Sequence, residues 1–368
     1  MRKRWIICLL AATLCLALVM TGCDAGQKKT TGQEKLKVGF IYIGTANEPG
    51  YTYAHELGRK YAEEKLGDKV EFVVQENVSD TDDSIVSVMQ SMIDQGCKVI
   101  FANSYGYMDY MYDMAQEYPD VIFLHCSGSK SRENMLNYFG RIYQARYLSG
   151  IVAGMKTETN KIGYVAAHPI PEVIRGINAF TLGVRSVNPN ATVEVVWTST
   201  WYDPSLEKAA AISLLDKGCD VIAQHQDTTG PQIAAQERGK WCVGYNCDTA
   251  DIVPEAFLTA PVWNWGPYYT EQIQKALDGT WKSENYWGGM EDGVVKLAPL
   301  TKNAPAGAQE KVDEMSKKII SGEFKVFEGP IKDQSGNIRV PEGTVMTDEE
   351  LLSFNWFVEG VIGTLPES

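Results

Sequence analysis

The sequence predicts an α/β fold of two similar lobes, each built on a parallel sheet, and three observations carry that prediction. From Lys35 onward, short β-branched strands alternate with amphipathic helices, the pattern of parallel sheets covered on both faces. The order strand, helix, strand, helix, Gly-Cys, strand occurs twice, with Gly96-Cys97 before KVIFAN and Gly218-Cys219 before DVIAQ. The 368 residues are enough for two domains, each with its own core.

In the first half, continuous apolar runs mark strands at Leu36–Ile43, Val70–Gln75, Lys98–Asn103 and Val121–Cys126. Apolar residues at helical spacing mark helices at Tyr53–Lys65, Asp83–Gln95 and Met108–Glu117. A helix over Arg141–Met155 leads into the second half. Its strands are Lys161–Ala166, Thr192–Thr198, Asp220–Gln224 and Trp241–Tyr245, and its helices Glu172–Val187, Pro204–Lys217 and Gly230–Arg238. The last third differs. It offers a helix at Gly266–Gly279, a strand at Gly293–Leu300 and a charged helix at Gln309–Ser321. Asp333-Gln334-Ser335-Gly336 is a hairpin turn between Lys325–Gly329 and Asn337–Val340. A final helix, Asp348–Phe354, has Thr347 as N-cap and Glu350 to complete a capping box. Residues 36–142 with about 262–285 are expected to form one lobe, and 143–261 with about 286–300 the other. Residues 301–368 are expected to be a C-terminal extension packed on the lobes.

The first residues are an address. Arg2, Lys3 and Arg4 precede an apolar run from Trp5 to Met20, too short to span a bilayer comfortably and shaped like an export signal. Val19-Met20-Thr21-Gly22-Cys23 resembles a lipobox, which makes residues 1–22 a signal peptide and Cys23 the site of lipidation. Residues 23–35 are small and polar and read as a flexible tether. The body is thus expected outside the cell membrane, anchored to it by lipid. The net charge is −13, and losing three basic residues with the signal makes the body more acidic still. Such a protein repels phosphate backbones, so nucleic acid is excluded as a partner. Cys97, Cys126, Cys219, Cys242 and Cys247 remain after processing, an odd number without a CxxC pair, and read as small buried hydrophobes. The four histidines lack ligand spacing, and no metal or cofactor is expected.

Ligands of parallel α/β sheets bind beyond the carboxyl ends of the strands. Those positions carry Asn47 and Tyr51 after the first strand, Asn103 and Tyr105 after the third, and Trp201 and Asp227 in the second half. Asn246, Asp248 and Trp265 follow in GYNCD and VWNWGPYY. Aromatic rings mixed with amides and carboxylates suit a planar, uncharged, heteroatom-rich ligand. No P-loop or G-x-G-x-x-G opens a helix to bind phosphate.

With the lipobox, the segments VGFIYIGTANEPGYTYAHELG, FGRIYQARYLSGIVAG, KIGYVA, NPNATVEVVWTSTWYDP and GYNCDTA before TAPVWNWGPYY resemble the basic-membrane-protein family. Its members are substrate-binding lipoproteins of ABC transporters, the purine nucleoside receptors. The resemblance implies a type I periplasmic-binding-protein fold that closes like a hinged clamp, without enzymatic activity. It also implies a purine ligand, ABC permease subunits as partners, and a monomer. By the same resemblance Tyr51 and Trp201 supply the rings that sandwich the base, and Asn47 lies in the segment that supplies an acid or amide; by their chemistry, Asp227, Asn246 or Asn103 can satisfy its ring edge. The family's Gly-x-Asp-x-Asp turn is here Gly244-Tyr245-Asn246-Cys247-Asp248, and its sugar-associated Lys is absent from Val262-Trp263-Asn264-Trp265. An adenine-type base is therefore expected ahead of a nucleoside. The rival classes are an exported purine nucleoside hydrolase, with Asp80-Thr81-Asp82-Asp83 as its metal seed, and a ligand sensor that feeds a membrane kinase.

Overall fold

The computed structural model of the chain describes residues 34–366, so the signal segment and Cys23 lie outside the described residues. The first half runs β1 (Leu36–Ile41), α1 (Tyr51–Leu66), β2 (Val70–Gln75), α2 (Ser84–Asp94), β3 (Cys97–Ala102), α3 (Met108–Glu117), β4 (Ile122–Cys126) and β5 (Met135–Gly140). These strands are parallel in the order β2-β1-β3-β4-β5. The chain then crosses through α4 (Tyr143–Lys156) and repeats the plan. It forms β6 (Lys161–Ala166), α5 (Pro171–Val187), β7 (Thr192–Trp197), α6 (Pro204–Asp216), β8 (Val221–His225), α7 (Gly230–Glu237), β9 (Trp241–Val243) and β10 (Phe257–Thr259). The second sheet is parallel in the matching order β7-β6-β8-β9-β10. The doubled pattern seen in the sequence is a doubled topology.

The remaining elements are β11 (Pro261–Trp263), α8 (Gly266–Leu277), β12 (Tyr286–Gly288), β13 (Val295–Leu297), α9 (Ala308–Ile320), β14 (Ile331–Lys332), β15 (Ile338–Val340), α10 (Asp348–Leu352) and β16 (Val361–Ile362). β12 adds a sixth strand to the first sheet beside β5, so residues 286–288 belong with the first half and not with the second, as the sequence had them. β16 adds a sixth strand to the second sheet beside β7. β11 and β13 pair antiparallel, so the long strand expected at Gly293–Leu300 is a three-residue element of a small separate pair.

Sequence reasoning missed β5, β10, β11, β12 and β16. β10 and β12 are only three residues long, and β5 interrupts its apolar run with Asn137. Elements that short carry no periodicity. The final hairpin turns where expected but pairs Ile331–Lys332 with Ile338–Val340, leaving Glu328 and Gly329 as isolated bridges. The capping box of α10 forms as read, with Thr347 Oγ1 accepting from the Glu350 N–H. The five described cysteines are buried and free. No helix among the described residues is long and apolar enough to cross a membrane.

In each sheet the order reverses around the first strand, between β1 and β3 and between β6 and β8. Connections on the two sides of such a strand leave in opposite directions and open a crevice beyond its carboxyl end. α4 and α5 cross closely between the sheets: a Cβ on Gly183 would stand 2.0 Å from the Tyr147 carbonyl oxygen, so glycine is required there. The loops at the carboxyl ends of the two sheets meet at Gly50, just before α1. A Cβ on Gly50 would lie 2.0 Å from the Asp227 carbonyl oxygen, which means backbone meets backbone between the lobes. Tyr202 Oη also donates to Glu48 Oε2 across the same seam. The structure is that of the closed clamp.

Candidate ligand-binding site

The lobes close on a cavity at the carboxyl ends of their sheets, where ligands of such folds bind. Tyr51, Asn103, Ser104, Tyr105 and Ser127 line it from the first lobe, and Glu172, Trp201, His225, Asp227 and Tyr245 from the second. Every one of these residues follows or ends a strand, or opens the helix after one. Tyr51 is fixed by its hydroxyl, which donates to the Asn103 carbonyl oxygen at 2.6 Å. Asn103 Oδ1 accepts from the Ile43 N–H at 3.0 Å, while its buried Nδ2 has no protein partner. An unpaired buried amide N–H costs roughly 1–3 kcal/mol, so it is a donor waiting for a ligand acceptor. Trp201 is tied to Asp227 through the Asp227 N–H, which donates to the Trp201 carbonyl at 3.2 Å.

Of the nine residues expected at the ligand, Tyr51, Asn103, Tyr105, Trp201 and Asp227 line the cavity. The other four do not. Asn47 is exposed on the loop after β1. Asp248 is exposed and accepts from the Ala250 N–H at 2.9 Å, a turn function. Asn246 is fully buried behind the wall, with Nδ2 3.5 Å from Asp227 Oδ1 and Oδ1 accepting from Trp263 Nε1 at 3.0 Å. Trp265 is 1% exposed, stacked between Trp263 at 4.8 Å and His55 at 5.3 Å. His55 in turn meets Tyr51 edge-on at 4.5 Å. Trp265 thus buttresses, through His55, the cavity-lining ring of Tyr51. Asp80-Thr81-Asp82-Asp83 serves structure: Asp82 Oδ1 accepts from the Ser84 N–H at the start of α2, and Asp80 Oδ2 accepts from Ser104 Oγ at 2.5 Å.

The comparisons with known proteins fit this geometry. The family described as ABC transporter substrate-binding protein, PnrA-like, matches residues 35–329. The chain belongs to the Bmp family. It is 43% identical over 335 residues to a purine-binding protein of Brucella abortus, covering 91% of this chain and 95% of that one. A protein of Haloferax volcanii named as an ABC transporter glucose-binding protein is 38% identical over 352 residues, covering 94% of this chain and 87% of that one. The solved structure of an ABC transporter solute-binding protein from Aeropyrum pernix superposes with a TM-score of 0.69 at 20% identity, over 79% of this chain and 92% of that one. That likeness establishes the type I periplasmic-binding-protein fold expected from the sequence. As a Bmp protein the chain is an extracytoplasmic substrate-binding component of an ABC transporter and not an enzyme, which removes the hydrolase alternative.

Sequence reasoning did not single out Glu172, Tyr245 or Ser127 in this Bmp site. Glu172 hid as the second residue of a helix that begins with Pro171, where an acidic residue is the ordinary complement of the helix dipole. Ser127 holds a left-handed backbone with φ 68°, and Ser199 and Asn246 do the same in the neighbouring loops. Non-glycine residues in that region concentrate at functional sites, and one sequence carries no sign of them.

The second-lobe wall is a buried polar cluster. His225 Nε2 lies 3.3 Å from Glu172 Oε1 and 3.3 Å from Tyr245 Oη. Burial, aided by the nearby Arg146 and Arg175 charges, holds His225 well below its ordinary pKa, so it is neutral. Burial pushes Glu172 up from 4.5 to about 7, against the pull of the same two arginines. Because His225 is uncharged, the contact is a hydrogen bond and not an ion pair. Asp227 is raised well above its ordinary range by burial and by the Glu207 and Glu172 carboxyls. Among the described residues, no Lys or Arg lines the cavity. A phosphate would meet the Glu172 and Asp227 carboxyls there and no side-chain cation.

Glu172 sets a pH dependence. The folded protein holds the Glu172 proton more tightly than the unfolded chain, so this group costs stability as pH rises from 4.5 to about 7. Glu172→Gln is expected to be more stable than the parent by about 3 kcal/mol at pH 8 without ligand, and no different near pH 4. Thermal unfolding across pH measures this; equal midpoints at pH 8 contradict it.

Proposed function

We propose that the chain is the purine receptor of an ABC importer, capturing an adenine-type free base in preference to a nucleoside, and anchored by lipid on Cys23. The observation that carries the reading is the cavity itself, where Tyr51 from one lobe and Trp201 from the other offer rings beside an unpaired Asn103 amide and the Asp227 carboxyl. Aromatic rings hold a base by stacking, and an amide donor with a carboxyl acceptor matches the ring nitrogens and N–H groups of its edge. The Brucella relative's name as a purine-binding protein supports the same ligand class.

Two features favour base over nucleoside. Asn246, standing where the family turn has an acid, is saturated by the Trp263 indole and faces the protein interior. Trp263, in the segment that lacks the sugar-associated Lys, is 6% exposed and packed on Phe139 and Trp265. The polar groups a ribose would use are therefore missing or turned away. The Glu172 and Asp227 carboxyls, with no Lys or Arg among the lining residues, likewise favour an uncharged ligand over a nucleotide.

Trp201→Ala is expected to weaken adenine binding by about 10- to 100-fold, while the unliganded melting temperature stays near that of the parent. Calorimetric titration with adenine measures this, and unchanged affinity removes Trp201 from the site. For the anchor, Cys23→Ser is expected to release the protein from the membrane fraction of expressing cells. Retention of that variant in membranes would contradict lipidation at Cys23.

A further inference from the structure

A second and larger space adjoins the inner cavity. The two share Tyr105, Ser127 and Glu172 as lining residues, so they are neighbouring chambers divided by these side chains. A free base occupies the inner one and leaves the outer one unused. The outer walls are largely aromatic and aliphatic: Phe139, Tyr286 and Trp287 on one side, Ile170 and Pro171 on the other. They are also rigid. Tyr286 stacks on Tyr268 at 4.5 Å, and Trp287 lies between the Arg141 guanidinium at 4.1 Å and that of Arg175 at 5.0 Å. Arg175, the cation of this chamber, is 3% exposed and engaged by the Leu351 carbonyl, to which Nη1 donates at 2.6 Å. With that guanidinium engaged and the Glu172 carboxyl at the junction, the chamber suits an uncharged group better than an anion.

We propose that the outer chamber receives a substituent of the bound base, and that the ligands of this protein include purines carrying a planar, uncharged apolar group. The inference rests on the purine reading above. Tyr105, which lines both spaces and is 44% exposed, is the side chain the substituent passes. Burial of a ring-sized apolar group against preformed aromatic walls adds affinity, since apolar area leaves water without new polar costs.

The test is calorimetric titration of the purified mature protein with adenine, N6-benzyladenine and 9-benzyladenine. At least one benzyl derivative is expected to bind about tenfold tighter than adenine. Ser129 and Leu352 are exposed residues on the rim of the chamber. The variant Ser129→Trp/Leu352→Trp is expected to lose that gain while its adenine affinity stays within about twofold of the parent. If adenine binds but both derivatives bind equally or more weakly, or if the gain survives in the double variant, the chamber inference is overturned and the base reading stands. If none of the three binds, the purine reading and the inference built on it both fail.

Discussion

The closed site depends on one approach, that of the Gly50 backbone to the Asp227 backbone across the seam between the lobes. Without a side chain at Gly50, the loop before α1 comes down directly on the loop after β8. That contact removes water from the space beneath it, and the consequences follow. Asp227 is desolvated and its carboxyl pushed toward the neutral form. The same burial raises the Glu172 pKa to about 7 and keeps His225 uncharged. Tyr51 and Trp201, carried by the flanking segments, face one enclosed space. A bulkier loop would leave the same residues around an open, wet crevice, where hydrogen bonds to a ligand compete with water and discriminate poorly.

Closure of this kind selects only if the walls do not yield. Behind Tyr51 runs a column of packed rings, His55, Trp265 and Trp263, which ends in the hydrogen bond from Trp263 to Asn246. His55 is fully buried and burial lowers its pKa to about 3, so it serves as a neutral packing group and hydrogen-bond partner of Tyr269. The column links α1 of the first half to the segment after β9 in the second. It holds both sides of the pocket to one geometry. Tight packing of this sort transmits small misfits as energy, which is how such a site rejects analogues.

Much of this was legible in the chain. Long β-branched strands alternating with helices yielded the two parallel sheets, and reading their carboxyl ends found five of the residues that line the cavity. The failures have physical causes. Trp265 and Asn246 sit at strand ends as binding residues do, but their side chains turn into the core, and a sequence cannot tell the two faces of a loop apart. Asn47 and Asp248 have suitable chemistry on the solvent side of their loops. Glu172 was passed over because its importance comes from burial beside Arg146 and Arg175, which only the fold brings to it. β10, β12 and β16 are too short to announce themselves and exist because neighbouring strands offer them an edge.

The central claim is that the closed clamp holds one uncharged purine between Tyr51 and Trp201. Calorimetric titration of the mature protein with adenine, adenosine and glucose tests it most directly. Adenine is expected to bind one per chain and more tightly than adenosine, with no detectable heat from glucose. Saturable binding of glucose with none of either purine would contradict the account.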